Sequence, residues 1–326
     1  MERFLVTDCG LRPLAAEFRE PDGARAEPGF ELLVSADEKW EELRGILAEQ
    51  AAPAWSEGLA KFSMSSAEQS VRKSKEGLLE VRPTFERISP KLVYACYRGL
   101  SGPGQEYPVR LFFAMDRFVL LISRYGLAQE KLDAWVQSGL LKQPLDLAHL
   151  LGAEVLDQHR TRLEQLEEQM DHVEEGILKG PRRWQQERII ALHKRVIGLK
   201  RSLNAHESVF ARLANLDKTS GRPEWQELVA ETQRELDNAR QTHELVESLR
   251  EAYQTAMDNR ANDIMKMLTL LATILLPINL LTSFFGMNFE HMPLIHEPYG
   301  LTVFYVASGL VACAALAYFW RKRWLR

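Results

Sequence analysis

Apolar positions change their period twice along this chain. From Phe4 to about Leu150 they come as short runs: Leu32-Leu33-Val34, Leu92 to Tyr97, Val109 to Phe113 and Phe118 to Ile122. Runs of this length bounded by Gly and Pro, with Pro103-Gly104 marking a turn, predict strands. Asp37 to Gln50 and Ala128 to Ser138 read as helices. Residues 1–150 are therefore expected to form an α/β domain, with a strand order that the pattern leaves open.

Beyond Leu150 the period lengthens. Leu156, His159, Leu163, Leu166, Met170, Val173 and Ile177 recur at steps of three and four, and Gly180-Pro181 then interrupts the chain. A second seam follows in Ile189, Leu192, Val196, Leu199, Leu203, His206, Phe210 and Leu213. Both are coiled-coil-like repeats, which predicts an antiparallel helical hairpin over 151–222. The first seam is flanked by Glu164, Glu167, Glu168, Asp171, Glu174 and Glu175, the second by Arg182, Arg183, Arg188, Lys194, Arg195, Lys200 and Arg201. These charges either pair the two helices or are two solvated faces, because exposed pairs contribute little. After Gly221-Arg222-Pro223 a third helix is expected near Glu224, running to Phe285 with no Gly and only Pro277 inside it. At 1.5 Å per residue this is a rod of roughly 90 Å, longer than a membrane is thick. Its first part, 223–263, is expected to project into water as a stalk.

The second change of period is a loss of charge. Met267 to Phe285 and Leu301 to Trp320 carry no charged residue, and each is long enough to cross a hydrocarbon core of about 30 Å. Two such runs close together, the second ending in Arg321-Lys322-Arg323, argue against a buried helix of a soluble protein. Arg260 and Lys266 precede the first, and Arg321, Lys322, Arg323 and Arg326 follow the second. Gly286 to Gly300 has neither Lys nor Arg. The positive-inside rule then puts both ends in the cytoplasm, at the plasma (inner) membrane of the cell. The expected division is a first span at 264–288, an outer loop at 289–300, a second span at 301–320 and a basic tail at 321–326. One hairpin cannot enclose water, so transport would need several copies around an axis, packed in lipid.

The first span is not uniform around its axis. Asn262, Met265, Thr269, Ala272, Leu276, Asn279 and Ser283 share one face, while Leu270, Ile274 and Leu281 lie opposite. An amide such as Asn279 inside a membrane needs a partner, either water in a pore or another helix. The face has no carboxylate, which a dehydrated Ca2+ would want. Amide and hydroxyl oxygens suit a Mg2+ ion that keeps its water.

Charge and composition narrow the classes further. A formal net charge of -4 gives no support for a nucleic-acid partner. The three cysteines, Cys9, Cys96 and Cys313, are far apart and lack CxxC spacing, which suits a reducing compartment. No basic segment followed by an apolar run opens the chain, so a signal peptide is not expected. The sequence contains no Walker loop, no GxSxG and no HExxH, so an enzyme is not expected.

The first span ends in Phe285-Gly286-Met287-Asn288-Phe289, followed by Met292-Pro293. With Asn262 to Thr269 and Pro277 behind it and Trp324-Leu325 ahead, this resembles the CorA family of divalent cation transporters, whose signature is Gly-Met-Asn after the first of two C-terminal spans. The resemblance implies a funnel-shaped homopentamer whose first spans line the pore. Gly286, Met287 and Asn288 would form the outer mouth. Asn262, Met265, Leu268, Leu276 and Asn279 match lining positions, the hydrophobic ones acting as a gate. It also implies Mg2+, and Co2+, as the transported ions. Arg82-Pro83-Thr84 keeps only part of a family Arg-Pro-Lys, and Ser65 to Lys75 lacks the acidic pair expected before it. A regulatory Mg2+ site is left with Glu227 as its one matching carboxylate. In the outer loop Glu290 and Glu297 would attract cations, and His291 and His296 could favour Zn2+, Co2+ or Ni2+. Two alternatives stay open: a ZntB-like proton-coupled Zn2+ importer, and a membrane-anchored sensor or scaffold without transport.

Overall fold

The computed structural model describes residues 2–7, 10–13, 29–35, 71–73, 79–88, 92–101, 105–114, 118–123, 129–217, 222–287 and 299–321. They fall into two compact units. One combines Met1–Val173 with Glu187–Glu247, the other Glu174–Gln186 with Ser248–Arg326.

The first unit opens with strands β1 (Glu2–Thr7), β2 (Gly10–Pro13), β3 (Gly29–Ser35), β4 (Val71–Lys73), β5 (Leu79–Val81), β6 (Thr84–Arg87), β7 (Leu92–Ser101), β8 (Gln105–Ala114) and β9 (Phe118–Ser123). Seven make one sheet in the order β2-β1-β3-β9-β8-β7-β6, while β4 and β5 pair separately. Only β3 and β9 run parallel within the large sheet. Leu92 to Tyr97 are all buried, so both faces of β7 are covered there. That double cover is why the run reads as continuously apolar rather than alternating. The helix expected at Asp37 to Gln50 and the turn at Pro103-Gly104 lie outside the described residues.

Four of the five α-helices among the described residues continue the chain order: α1 (Gln129–Gln137), α2 (Pro144–Leu178), α3 (Arg183–Ala214) and α4 (Pro223–Phe285). The structure starts α2 at Pro144, several residues before the boundary drawn at Leu150. Proline suits the first helical position, and Asp146 Oδ2 reaches back to accept the N–H groups of Lys142 and Gln143 at 2.9 and 2.8 Å. At the other end, Gly180 takes φ +130° and stops α2. Gln185 Oε1 accepts the N–H of Arg182 at 2.7 Å and caps α3.

Side-chain bonds fix how α2, α3 and α4 run in the first unit. His149 to Glu224, Arg160 to Glu235 and Glu167 to Thr242 are each separated by 75 residues, so α2 and α4 are parallel and in constant register. Gln233 to Glu207 and His193 to Glu247 pair α3 with α4 antiparallel. Both predicted seams are buried at every named position. The flanking charges do not join α2 to α3 by ion pairs. Arg188 and Arg195 both donate to the neutral Gln169 instead, and Glu167 accepts from Thr242 of α4. Most of those charges are exposed, as in the solvated-face reading, while Arg188, Arg195 and Glu167 bond across helices.

The sheet meets the helices where β7 loses its neighbour. Pairing of β6 ends at Thr84 opposite Cys96, leaving the next N–H groups on that edge without a strand. Leu100 N–H donates to Gln158 Oε1 at 2.8 Å, and Arg98 N–H donates to His206 Nε2 at 3.0 Å. The second bond fixes a buried relay. His206 must carry its proton on Nδ1, facing Ser202 Oγ at 3.4 Å. Ser202 O–H donates to His159 Nε2 at 2.8 Å, and His159 Nδ1–H donates to the Val155 carbonyl at 2.7 Å. Both imidazoles are neutral in this chain. Burial lowers His159 to about 4, the Arg98 charge adding to it and the Val155 bond opposing. Burial, then His159 and Arg98, lower His206 as well.

In the second unit, the C-terminal part of α4 and the last helix, α5 (Gly300–Arg321), are long and apolar enough to cross a membrane. The most apolar stretch of α4 is 0% buried and that of α5 is 6% buried. A core helix of a soluble protein would be covered, so the exposure supports the membrane reading.

Candidate functional site

Cover on α4 beyond Tyr253 is partial and one-sided. Leu270, Ile274, Pro277, Ile278 and Leu281 are half-buried, whereas Asn262, Met265, Leu268, Thr269, Ala272, Leu276, Asn279 and Ser283 are all exposed. At 3.6 residues per turn the two sets lie roughly half a turn apart. The polar face expected from the sequence is thus the face left open. On α5 the less exposed positions are Phe304, Ala307, Ser308, Val311, Ala312, Ala315 and Phe319, again at helical spacing. Its outer face shows Tyr305, Val306, Leu310, Tyr318 and Trp320. Aromatic residues at both ends of an apolar helix suit the two membrane–water interfaces.

The polar groups of the open face differ in one respect. Thr269 Oγ–H donates to the Met265 carbonyl at 2.7 Å, and Thr273 does the same to Thr269 at 2.7 Å. These hydroxyls are satisfied by their own helix. The side-chain amides of Asn262 and Asn279 bond no described residue. Pro277 has no N–H to give, which releases the carbonyl of Thr273 one turn earlier. The helix therefore presents amide oxygens, and no carboxylate, along the expected lining, while the carbonyl freed by Pro277 lies toward the covered side.

The helix ends where the signature begins. Gly286 N–H still bonds the Thr282 carbonyl at 3.0 Å, while Met287 N–H steps back to Phe284 at 3.4 Å. A Cβ on Gly286 would sit 3.1 Å from the Thr282 oxygen, so any larger residue must push this last turn apart. Both residues are exposed. Asn288, Glu290, His291, His296 and Glu297 lie outside the described residues, as do Met292-Pro293 and the tail after Arg321. Glu227 is exposed near the start of α4, with no bonded partner among the described residues. Sequence reasoning missed one other cluster, His193, His243 and Glu247, whose members sit on two different helices.

An α/β body, a helical bundle and two membrane-length helices, one with an amide-bearing open face, suit a membrane-spanning protein. A profile of the CorA-like Mg2+ transporter protein family matches residues 92–323, and the chain belongs to that family. The cobalt/magnesium transport protein CorA of Thermotoga maritima is 26% identical over 175 residues, which are 52% of this chain and 50% of that protein. The match therefore spans about half the length of that relative. Among solved structures, the complete CorA magnesium transporter of Methanocaldococcus jannaschii superposes with a TM-score of 0.74 at 17% identity, over 99% of both chains. The full-length CmaX protein gives 0.71 at 20% identity, over 99% of this chain and 98% of that one. At these identities the superpositions establish the fold.

Proposed function

We propose that the chain is a divalent cation transporter that carries Mg2+, and Co2+, across the plasma (inner) membrane through a pore lined by α4. The observation that carries this reading is the open amide face of α4, opposite its only covered face and leading into Gly286-Met287-Asn288. Identical subunits, five by resemblance, close the pore with these faces inward, and α5 turns its outer face to lipid. Asn288 amides at the outer mouth receive a hydrated ion, and Glu290 and Glu297 raise the local cation concentration with His291 and His296 beside them. Asn279 and Asn262 offer further amide oxygens, and Met265, Leu268 and Leu276 form the apolar constriction between. With both termini cytoplasmic, a divalent ion gains about 4.6 kcal/mol per 100 mV on entering a negative cell. A regulatory Mg2+ at Glu227 requires a second carboxylate from a neighbouring subunit.

Uptake of Mg2+, Co2+, Ni2+ and Zn2+ into liposomes, with and without a pH gradient, tests the reading. Voltage-driven Mg2+ and Co2+ uptake that ignores the pH gradient is expected, with Asn288→Ala strongly reducing it. Zn2+ uptake that requires the gradient would replace this reading by proton-coupled Zn2+ import. Absence of flux for all four ions would replace it by an anchor.

A further inference from the structure

We infer that His193, His243 and Glu247 form a binding site for a divalent transition metal (Zn2+, Co2+ or Ni2+) between α3 and α4, separate from the transport path. Their ligand atoms all lie within 4.8 Å of one another. His193 Nε2 is 2.9 Å from Glu247 Oε1, and the rings of His193 and His243 are centred 5.2 Å apart. His243 and Glu247 are one helical turn apart on the same face of α4, and the antiparallel register of α3 brings His193 to them from across the groove.

The backbone under each ligand is held firmly. His193 follows Leu192, His243 follows Thr242 and Glu247 follows Val246, three residues at most 1% exposed in the bundle core. The side chains themselves are reachable, His193 being 34% and Glu247 42% exposed, so an ion can enter without opening the bundle. Around a tetrahedral ion with bonds of 2.0–2.1 Å, ligand atoms sit about 3.3 Å apart. Closing the set draws His243 inward by about an ångström and opens the His193–Glu247 pair slightly, with water filling the fourth position.

Two imidazoles and one carboxylate choose the metal. Mg2+ demands oxygen ligands and keeps its water, whereas imidazole nitrogen favours Zn2+, Co2+ and Ni2+. The ion binds ring nitrogens whose lone pairs must be free of protons to coordinate it. Binding therefore weakens in acid, where protons compete for the same nitrogens. The site does not rest on the transport reading, because its ligands lie in the bundle before Tyr253 and none is among the residues of the proposed lining.

The test is titration of the full-length, detergent-solubilised protein with Co2+ in saturating Mg2+, so that ions held in the transport path are displaced. The expected result is one Co2+ per chain with the intense visible absorption of low-coordinate Co2+, retained in Mg2+ and lost on acidification. His193→Ala and His243→Ala should each abolish the band while leaving the helical circular dichroism unchanged. His243→Cys should restore binding with a sulfur-to-cobalt charge-transfer band in the near ultraviolet. Absence of the band in the wild type overturns the proposal. A band that survives both alanine variants places the ion elsewhere and overturns it equally.

Discussion

Helix α4 passes through two different environments, and its two parts follow different rules. From Trp225 to Tyr253 the buried positions are Trp225, Leu228, Thr232, Glu235, Leu236, Ala239, Thr242, Val246, Leu249 and Tyr253, at steps of three and four. From Gln254 to Phe284 no residue is buried, although this part is far more apolar. In the bundle, burial also requires that polar groups be paired: Thr232 Oγ–H bonds the Leu228 carbonyl at 2.7 Å and Glu235 accepts from Arg160 at 2.8 Å. In the membrane-length part, apolar residues face outward and unpaired amides mark the face where water is expected. An exposed leucine therefore means nothing by itself; what matters is which solvent it meets.

One substitution made at three leucines separates those solvents. Leu192 is fully buried in the bundle, Leu276 is 68% exposed on the open face of α4, and Leu310 is 66% exposed on α5. Leu192→Asp places an unpaired carboxylate in a dry core and should cost more than about 4 kcal/mol, leaving no folded protein to purify. Leu310→Asp should cost about 3 kcal/mol of membrane insertion, read as loss of protein from the membrane fraction. Leu276→Asp should reach the membrane at wild-type level with altered ion flux, because the proposed pore places water beside it. Equal losses for Leu276 and Leu310 would mean that both face lipid.

Acid should act on the bundle and spare the membrane helices. His159 and His206 are neutral when folded and protonate near 6.5 when unfolded. The unfolded chain thus binds more protons below that pH, so the stability contributed by neutral burial is complete above 6.5 and is lost as pH falls, for His159 toward about 4. For His159 alone the loss is about 3 kcal/mol. Thermal melts at pH 7 and pH 4.5 should differ accordingly, and Ser202→Ala, which removes the link between the two rings, should lower the melt at pH 7 as well. A flat profile would show that the relay does not hold the two histidines neutral.

The bundle and spans were legible because burial and lipid both write long-period signals. Both predicted seams, the break at Gly180-Pro181 and the length of α4 emerged from spacing alone. The seam on α4 itself was not read, because Thr232, Glu235 and Thr242 interrupt its apolar pattern and satisfy their polar groups through bonds that spacing does not reveal. The order of the sheet was illegible for a similar reason: β3 and β9 are parallel neighbours whose paired residues lie 87 apart in sequence, as in Glu31 with Phe118. Of the candidate pathway, the stripe was readable from helical periodicity. The cluster of His193 with His243 and Glu247 required the register between α3 and α4, which no single-helix pattern contains.

The signature glycine offers a smaller effect that still divides the regions. Gly286→Ala must move its Cβ away from the Thr282 carbonyl, at 3.1 Å, and should cost about 1 kcal/mol in the last turn. Gly152 in the bundle is a stricter case, since a Cβ there would meet the Phe210 ring at 2.9 Å. Gly152→Ala should lower the melting temperature without changing the flux of the folded fraction. Gly286→Ala should reduce flux in protein whose melt is nearly unchanged. Reversal of these two outcomes would detach Gly286 from the mouth.

The smallest expected effect lies within the open face itself. Thr269 and Asn279 share it, but the Thr269 hydroxyl is already bonded to its own helix whereas the Asn279 amide is not. Thr269→Val removes a hydroxyl whose bond is local and keeps the shape, so stability should change by less than about 0.5 kcal/mol and uptake only slightly. Asn279→Leu keeps a similar size but replaces an amide that bonds no described residue. Its stability should also hold, because no bond within the chain is lost, while Mg2+ uptake should fall severalfold. If Asn279→Leu instead destabilises the assembly with uptake per folded complex unchanged, the amide binds a neighbouring helix rather than the permeating ion. The open face of α4 would then be an interface between helices, with water elsewhere.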